Sequence, residues 1–297
     1  SGEPQQERLE VEVETRSLWS ELPDVDFFWG NSLRLEDGYA VDATIDGTSG
    51  AFMRELELDD LSWSKLVSYV PAKNVEAEGL FGLEARFYAP VQEFEGDGIV
   101  ASNIYMTKVE EVYVDMDHSS FRAWELEEDA YIHGDNNTIS FGQTDGDVHV
   151  GGDNVTTHLG WGDAIYYGHS SGDAGHNVNG GSGDDDITMT HGEDIVFGGS
   201  GDDVIDGNLG DDSIFGGAGN DDLDGNWGDD HIEGGAGNDW VNADDGDDFV
   251  LGGIGSDHLF GGKGDDAMSG GEDDDHLSGG EGDDVMNGNA GDDHMYG

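Results

Sequence analysis

Aspartate recurs at every ninth position between residues 185 and 293, which gives thirteen copies in one register. The residue two places after each aspartate is apolar, and the residue two places before it is glycine in every copy except one, where Asp273 stands. The unit therefore reads Gly-Gly-x-Gly-x-Asp-x-apolar-x, as in residues 198–206. The aspartates of this register are Asp185, Asp194, Asp203, Asp212, Asp221, Asp230, Asp239, Asp248, Asp257, Asp266, Asp275, Asp284 and Asp293.

Carboxylates at a fixed position on glycine-rich turns are suited to a hard divalent cation. Calcium takes about six to eight oxygen ligands, which carboxylates and backbone carbonyls can supply. Glycine adopts positive φ without strain, so it lets the carbonyls of a turn face a shared centre. We therefore predict calcium as the cofactor, bound at several sites along the repeat.

A second regularity predicts how the copies stack. Glycine occupies the second position of alternate copies, from Gly181 to Gly271, whereas the copies between them carry Thr190, Asn208, Asn226 and Asp244 there. This alternation indicates a coil of eighteen residues with two distinguishable sides. Each copy then stacks on the copy two places along, with its apolar side chain in the core and its aspartate in one of two edge rows.

The two rows of aspartates predict that the coil depends on its cation. Stacked strands lie about 4.8 Å apart, so successive carboxylates of one row are expected at about that spacing. Each pair repels by about 0.9 kcal/mol in the dielectric of water, and all pairs together by about 10 kcal/mol before screening. That total is comparable with the stability of a whole domain, and one apolar residue per nine makes only a thin core.

The repeat resembles the haemolysin-type calcium-binding repeat of RTX proteins across residues 180–297, and more weakly back to about residue 134. The resemblance implies a calcium-loaded parallel β-roll in which the sixth-position aspartates, the thirteen listed above, bind calcium between successive turns together with turn carbonyls. It also implies a bacterial protein that leaves the cell by type I secretion and folds on extracellular calcium. Met189 and Ala243 at the first position and Asp273 at the fourth depart from the pattern, which puts the sites on those turns in doubt.

Composition excludes several classes of partner. The formal net charge of −59 and the pI near 4.1 exclude nucleic acid, because phosphates require Lys and Arg, and disfavour an anionic membrane surface. No apolar run is long enough for membrane insertion, and the absence of cysteine excludes disulfides. The chain shows no amino-terminal signal peptide and stops at Gly297, so we interpret it as a fragment of a longer protein.

Charge and proline usage predict three segments in an all-β chain. Residues 1–133 contain all four prolines and nine of the ten basic residues, and their alternating patterns predict an all-β domain, either a sandwich or β-helix coils. Residues 134–179 carry the repeat in degenerate form, with His176 in place of the last aspartate, and residues 180–297 form the β-roll. Strands are predicted around Leu9–Glu14, Tyr39–Ile45, Leu80–Tyr88, Ile99–Val114 and Phe121–Leu126.

These features favour a calcium-binding module of a secreted, extracellular or cell-surface protein with a structural, adhesive or surface-layer role. The alternative is the folding and secretion module of an extracellular enzyme, such as a polysaccharide-modifying enzyme or a protease, although the sequence shows no catalytic constellation. The predicted partners are calcium and a protein or polysaccharide surface. Large apolar residues at outward positions of one sheet are expected to be covered by protein; they are Ile195, Phe197, Phe215, Phe249 and Leu251.

Overall fold

The structure is a computed structural model, which describes seven strands between residues 33 and 100 and then residues 102–144, 146–169 and 175–297. All regular elements in these ranges are β-strands, and none of the described residues forms a helix that could cross a membrane. The chain divides into two compact units, residues 1–138 and 139–297. The strand predicted at Leu9–Glu14 lies outside the described residues.

The first unit contains eleven described strands. They are β1 (Leu33–Glu36), β2 (Val41–Asp46), β3 (Phe52–Asp59), β4 (Lys65–Ser68), β5 (Ala72–Glu78), β6 (Glu84–Phe87), β7 (Val91–Val100), β8 (Asn103–Met106), β9 (Val109–Asp117), β10 (Ser120–Leu126) and β11 (Ala130–His133). The predicted β-rich stretch at Ile99–Val114 is thus divided among the end of β7, β8 and most of β9.

Most strands of the first unit pair in parallel with the strand two places along, which is the pattern of a solenoid. Among the described strands of this unit, only β1 with β4 and β2 with β3 pair in the antiparallel sense. The order β3-β5-β7-β9-β11 forms one parallel sheet and β4-β6-β8-β10 another. In the first sheet Met53 pairs with Ala72, a step of nineteen residues. Of the two architectures left open by the sequence, the described strands form β-helix coils rather than a sandwich.

The remaining strands belong to the second unit, apart from Thr138, the first residue of β12. They are β12 (Thr138–Thr144), β13 (Asp147–Gly151), β14 (Thr156–His158), β15 (Ile165–His169), β16 (Asn177–Ser182), β17 (Asp186–Thr188), β18 (Ile195–Ser200), β19 (Val204–Asp206), β20 (Ser213–Ala218), β21 (Asp222–Trp227), β22 (His231–Ala236), β23 (Trp240–Asp245), β24 (Phe249–Ile254), β25 (His258–Lys263), β26 (Ala267–Glu272), β27 (His276–Glu281), β28 (Val285–Ala290) and β29 (His294–Tyr296).

Register in the second unit confirms the predicted eighteen-residue coil. Even-numbered strands from β14 form one parallel sheet and odd-numbered strands from β13 the other, and Val196 pairs with Ile214, eighteen residues later. One step is longer: Thr156 pairs with Asn177 and Ile165 with Asp186, a step of twenty-one residues. From β16 onward every step is eighteen residues, so the RTX-like part is a regular parallel β-roll.

The core of the roll is one column of apolar side chains per sheet. The apolar residue of each repeat, from Val178 to Leu277, is buried between the sheets. The side chains on either side of it, such as Ile195 and Phe197, point outward, as the alternation of a strand requires. Turns return the chain through positive φ, for example at Gly199 (φ 119°). In the alternate repeats a residue such as Asn208 (φ 73°) occupies that place, because asparagine tolerates the left-handed region.

Candidate metal centre

The aspartates of the repeat form two hydrogen-bonded rows along the edges of the roll. In each row the backbone N–H of one aspartate donates to Oδ1 of the aspartate eighteen residues later, as from Asp203 to Asp221 at 2.9 Å. One row runs from Asp185 to Asp293 and the other from Asp194 to Asp284. The eighteen-residue coil therefore places carboxylates from every second repeat in one line.

The second carboxylate oxygen, Oδ2, has no partner in most of these residues. It is buried and makes no hydrogen bond in ten aspartates, although buried polar atoms normally have one. The ten are Asp185, Asp203, Asp212, Asp221, Asp230, Asp239, Asp248, Asp257, Asp266 and Asp275. A line of buried, unpaired carboxylate oxygens requires either protons or cations.

The first glycine of each repeat makes room for this oxygen. A Cβ atom added to Gly234 would lie 2.5 Å from Oδ2 of Asp239 and 2.8 Å from the carbonyl oxygen of Gly252. The space beside this glycine is therefore lined both by Oδ2 and by a backbone carbonyl oxygen of the next coil. No group of three or more His, Cys, Asp or Glu side chains in the described part of the chain is placed to hold a metal ion. A cation here would thus need backbone carbonyls as ligands, as calcium accepts.

A neutral version of the same row occurs in the first unit. The N–H of Ser102 donates to Oγ of Ser119, and the N–H of Ser119 donates to Oδ1 of Asn137, both at 3.0 Å. The second polar atom of Asn137 is the amide nitrogen, and it donates to the carbonyl oxygens of Met116 and Gly134. An aspartate carries an acceptor where asparagine carries this donor. The row of Ser102, Ser119 and Asn137 is therefore satisfied by the chain alone, whereas the aspartate rows are not.

Burial raises the pKa of the row aspartates, as expected for carboxylates that lack a nearby positive charge. Loss of water raises the pKa of Asp239 to about 6, that of Asp203 to about 7 and that of Asp212 to about 8. A backbone N–H bond to Oδ1 opposes the shift in each case, and the neighbouring aspartates of the row add to it. Burial therefore favours protonation of the metal-free row, and a cation would compete with those protons.

This shift predicts a pH dependence with a definite sign. A carboxyl group whose pKa is higher in the folded state than in the unfolded chain stabilises the fold below its unfolded value near 4, and that contribution is lost as the pH rises through the folded value. We expect the metal-stripped chain to become less stable between about pH 4 and pH 8, following the values of Asp239, Asp203 and Asp212. Thermal unfolding followed by circular dichroism measures this. With saturating calcium the trend should reverse, because protons compete with the metal; equal trends in both conditions would contradict the assignment.

Asp194 differs from the other aspartates because its turn satisfies it. Oδ2 of Asp194 accepts hydrogen bonds from the backbone N–H and the hydroxyl of Thr190, both at 2.9 Å. Its Oδ1 accepts the N–H of His176, which stands in the aspartate column as the sequence predicted. The buried His176 ring lies 2.9 Å from the carbonyl oxygen of Gly152 and 2.7 Å from the hydroxyl of Tyr166, and burial lowers the pKa of this histidine. At Asp194, the first aspartate of its row, hydrogen bonds from neutral groups therefore satisfy both carboxylate oxygens. This is the turn in which Met189 and Thr190 stand in place of the two glycines.

A further ladder on the turns was not predicted from the sequence. In most repeats the residue before the row aspartate accepts, through its side chain, the N–H of the corresponding residue in the next coil, as when Asp229 accepts from Asp247 at 2.9 Å. Asp202, Asn220 and Asn238 continue the pattern on the other edge. The recurrence of Asp and Asn at the fifth repeat position was the available signal. These side chains are exposed, so solvent screens their charge.

Comparison with protein-family models supports the chemistry deduced from this geometry. The model for the RTX calcium-binding nonapeptide repeat matches in four places, at residues 191–223, 224–259, 249–276 and 269–297. Residues 191–297 are RTX calcium-binding repeats. No curated protein and no solved structure matches the chain.

The RTX match and the hydrogen-bonded rows cover nearly the same residues. The RTX repeats begin at residue 191, whereas the row geometry already includes Asp185, whose N–H donates to Asp203. RTX repeats are calcium-binding motifs that typify extracellular proteins of the type I secretion route. The family match therefore agrees with calcium as the cation that would neutralise the unpaired Oδ2 atoms.

Proposed function

We propose that this chain is a calcium-dependent RTX module of a secreted bacterial protein, in which calcium neutralises the buried aspartate rows. The observation that carries the proposal is the set of ten buried Oδ2 atoms without partners. The chain itself cannot supply the missing charge, since Lys263 is the only lysine or arginine after residue 133, and it is paired with Asp245. Calcium supplies positive charge and binds carboxylate and carbonyl oxygens together.

The proposed calcium ligands are the row aspartates, but they are not expected to contribute equally to calcium binding. The ten with unpaired Oδ2 atoms are the principal ones. Asp284 and Asp293 end the two rows, so each has a neighbouring aspartate on one side only. Both are also less buried than the ten. Asp194 is satisfied by Thr190 and His176, and we propose that it needs no cation.

The proposed biological setting follows from the metal requirement. The module would stay unfolded at the low free calcium of the cytosol and fold on meeting extracellular calcium. A structural, adhesive or surface-layer role at the cell surface is supported by the outward rows of aromatic rings on the roll, such as Phe197 stacked on Phe215 at 4.8 Å between ring centroids. A flat, regular face of this kind fits contact with a protein or polysaccharide surface.

A matched pair of substitutions tests the ligand assignment. Asp212→Asn is expected to lower the number of calcium ions bound, because Oδ2 of Asp212 has no other partner. Asp194→Asn is expected to keep the calcium count and lower only the thermal stability, because its oxygens accept bonds from Thr190 and His176. Isothermal titration calorimetry of the full chain measures both. Equal calcium counts in the two variants would contradict the proposal.

A further inference from the structure

One outward face of the roll is almost free of charge in a chain of net charge −59. This face, called here the phenylalanine face, is the outer side of strands β16 to β28 of the even-numbered sheet. One column of its side chains is Asn177, Ile195, Ser213, His231, Phe249, Ala267 and Val285, and the other is Asn179, Phe197, Phe215, Glu233, Leu251, Ser269 and Asn287. Glu233 is the single acid in these two columns, whereas the matching two columns of the other sheet have four acids, namely Asp186, Asp206, Asp222 and Asp224.

The phenylalanine face is also apolar and ordered by stacking. Phe197 and Phe215 stack at 4.8 Å between ring centroids, and His231 and Phe249 at 5.1 Å. Ile195, Phe197 and Phe249 remain 40%, 38% and 43% exposed. Large apolar side chains are stabilised when contact with another surface removes them from water. An uncharged, apolar strip of this length is therefore suited to contact with another uncharged surface.

We propose that the partner of the phenylalanine face is the same face of a second copy of this chain, related by a two-fold axis parallel to the roll axis. The inference assumes the folded, calcium-loaded roll of the proposed function. With such an axis, each strand faces the same strand of the second copy, and each column of side chains faces the opposite column of that copy. Ile195 then meets Phe197, Ser213 meets Phe215, and Phe249 meets Leu251 of the second copy, so apolar groups meet apolar or small ones.

The charges on the face select this orientation of the two rolls. His231 and Glu233 lie on β22, the central strand of the face, with His231 Nε2 2.9 Å from Glu233 Oε1. With rolls pointing the same way, His231 of each copy meets Glu233 of the other, and the four side chains form one paired cluster. With rolls pointing in opposite directions, Glu233 would meet Glu233, and like charges repel. No other charge lies in the two columns to oppose association.

The dimensions of the face set the expected strength of the contact. Seven strands about 4.8 Å apart give a strip about 29 Å long, and it is only two side-chain columns wide. Stable interfaces bury about 800 Å² on each partner, and a strip of this width lies at the lower end of that scale. The dimer is therefore weak and concentration-dependent, and self-association of many copies, as in a layer, would add to it.

Sedimentation of the full chain in saturating calcium tests the contact. We expect a reversible monomer–dimer equilibrium across about 5–500 µM chain. Phe197→Ser with Phe215→Ser should raise the dissociation constant by at least about a hundredfold, since the lost apolar contact counts in both copies. The matched control is Trp240→Ser with Phe260→Ser, which removes a stacked aromatic pair from the opposite face (ring centroids 4.9 Å apart) and should leave the dissociation constant unchanged.

A charge substitution tests the central cluster. His231→Glu should raise the dissociation constant by at least about tenfold, because carboxylates would then meet at the centre of the interface. The exchange His231→Glu with Glu233→His should restore it, since each histidine again meets a glutamate of the second copy. His258→Glu adds the same charge to the opposite face and should have no effect on association.

The absence of cysteine allows the orientation to be measured with one label per chain. A nitroxide on Asn177→Cys, at the end of the face, should give a label separation of about 20 Å or less when the rolls point the same way, and more than about 30 Å when they point in opposite directions. A monomer at all concentrations, equal effects of the two aromatic pairs, or the longer separation would overturn the proposal. Circular dichroism in calcium, run on every variant, separates loss of the dimer from failure of the roll to fold.

Discussion

Chelation of calcium is expected to unfold residues 180–297 in one cooperative transition. Every coil of this region contacts its neighbours through the aspartate rows, and ten buried Oδ2 atoms would lose their counter-charge together. Repulsion along the rows amounts to about 10 kcal/mol before screening, which is comparable with the stability of an ordinary domain. The raised pKa values of Asp203 and Asp212 show that the metal-free rows disfavour ionisation. Circular dichroism with and without chelator should show loss of most of the β signal from this region at pH 8.

Titrating calcium back measures whether the module responds to extracellular conditions. Extracellular calcium modules have dissociation constants of about 10⁻⁴–10⁻³ M, and a folding midpoint in this range is expected. Magnesium at the same concentration should restore little structure, because it loses water reluctantly and demands regular octahedral geometry. A β signal that survives chelation at pH 8, or equal rescue by magnesium, would remove the basis for the proposed function.

Asp239→Ala is expected to damage calcium binding far more than Asp293→Ala. Asp239 lies within a row: its Oδ1 accepts the N–H of Asp221 at 3.0 Å, and its own N–H donates to Oδ1 of Asp257 at 2.9 Å. Its removal affects the sites on both sides and leaves the buried N–H of Asp221 unpaired, which by itself costs about 1–3 kcal/mol. Asp293 accepts the N–H of Asp275 but ends its row, and it is less buried.

Calorimetry on both variants distinguishes shared from separate sites. If neighbouring coils share each calcium ion, Asp239→Ala should lose about two ions and Asp293→Ala at most one. Asp239→Asn is the matched control for volume, since it retains an acceptor for the N–H of Asp221 while it removes the charge. Equal losses at the middle and the end of the row would mean that each turn binds its ion alone.

The roll could be predicted from the sequence because each position that sets its period accepts few residue types. Glycine at turns, one inward apolar residue and one aspartate per nine residues specify a parallel coil of eighteen residues, and the register confirms it. The first unit was predicted only as all-β. Its coils differ in length, with nineteen residues from Met53 to Ala72 and seventeen from Asn103 to Ser120, and no glycine recurs in them at a fixed spacing. Alternation alone therefore could not distinguish a sandwich from a solenoid.

The sequence predicted which residues form the candidate metal centre, but not which of their carboxylate oxygens have hydrogen-bond partners. The spacing identified the rows, and the departure at Met189 raised doubt about that turn. Only the structure shows that the Thr190 hydroxyl donates to Oδ2 of Asp194, the oxygen that has no partner in ten of the other row aspartates. Likewise, the row of Ser102, Ser119 and Asn137 has no repeat spacing in the sequence, because the coils that carry it differ in length. Hydrogen-bond satisfaction depends on such three-dimensional detail rather than on residue type.

The eighteen-residue coil constrains how the gene for such a chain can change. Duplication or deletion of one whole coil lengthens or shortens the roll by about 4.8 Å and leaves every remaining aspartate in its row. Loss of a single nine-residue repeat would also keep the aspartates in register, but it would exchange the two sheets beyond that point. Phe249 would then join the side of the roll that carries Trp240, and the columns of aromatic rings would be broken. Selection on the outer faces should therefore permit insertions and deletions in multiples of eighteen residues and remove those of nine.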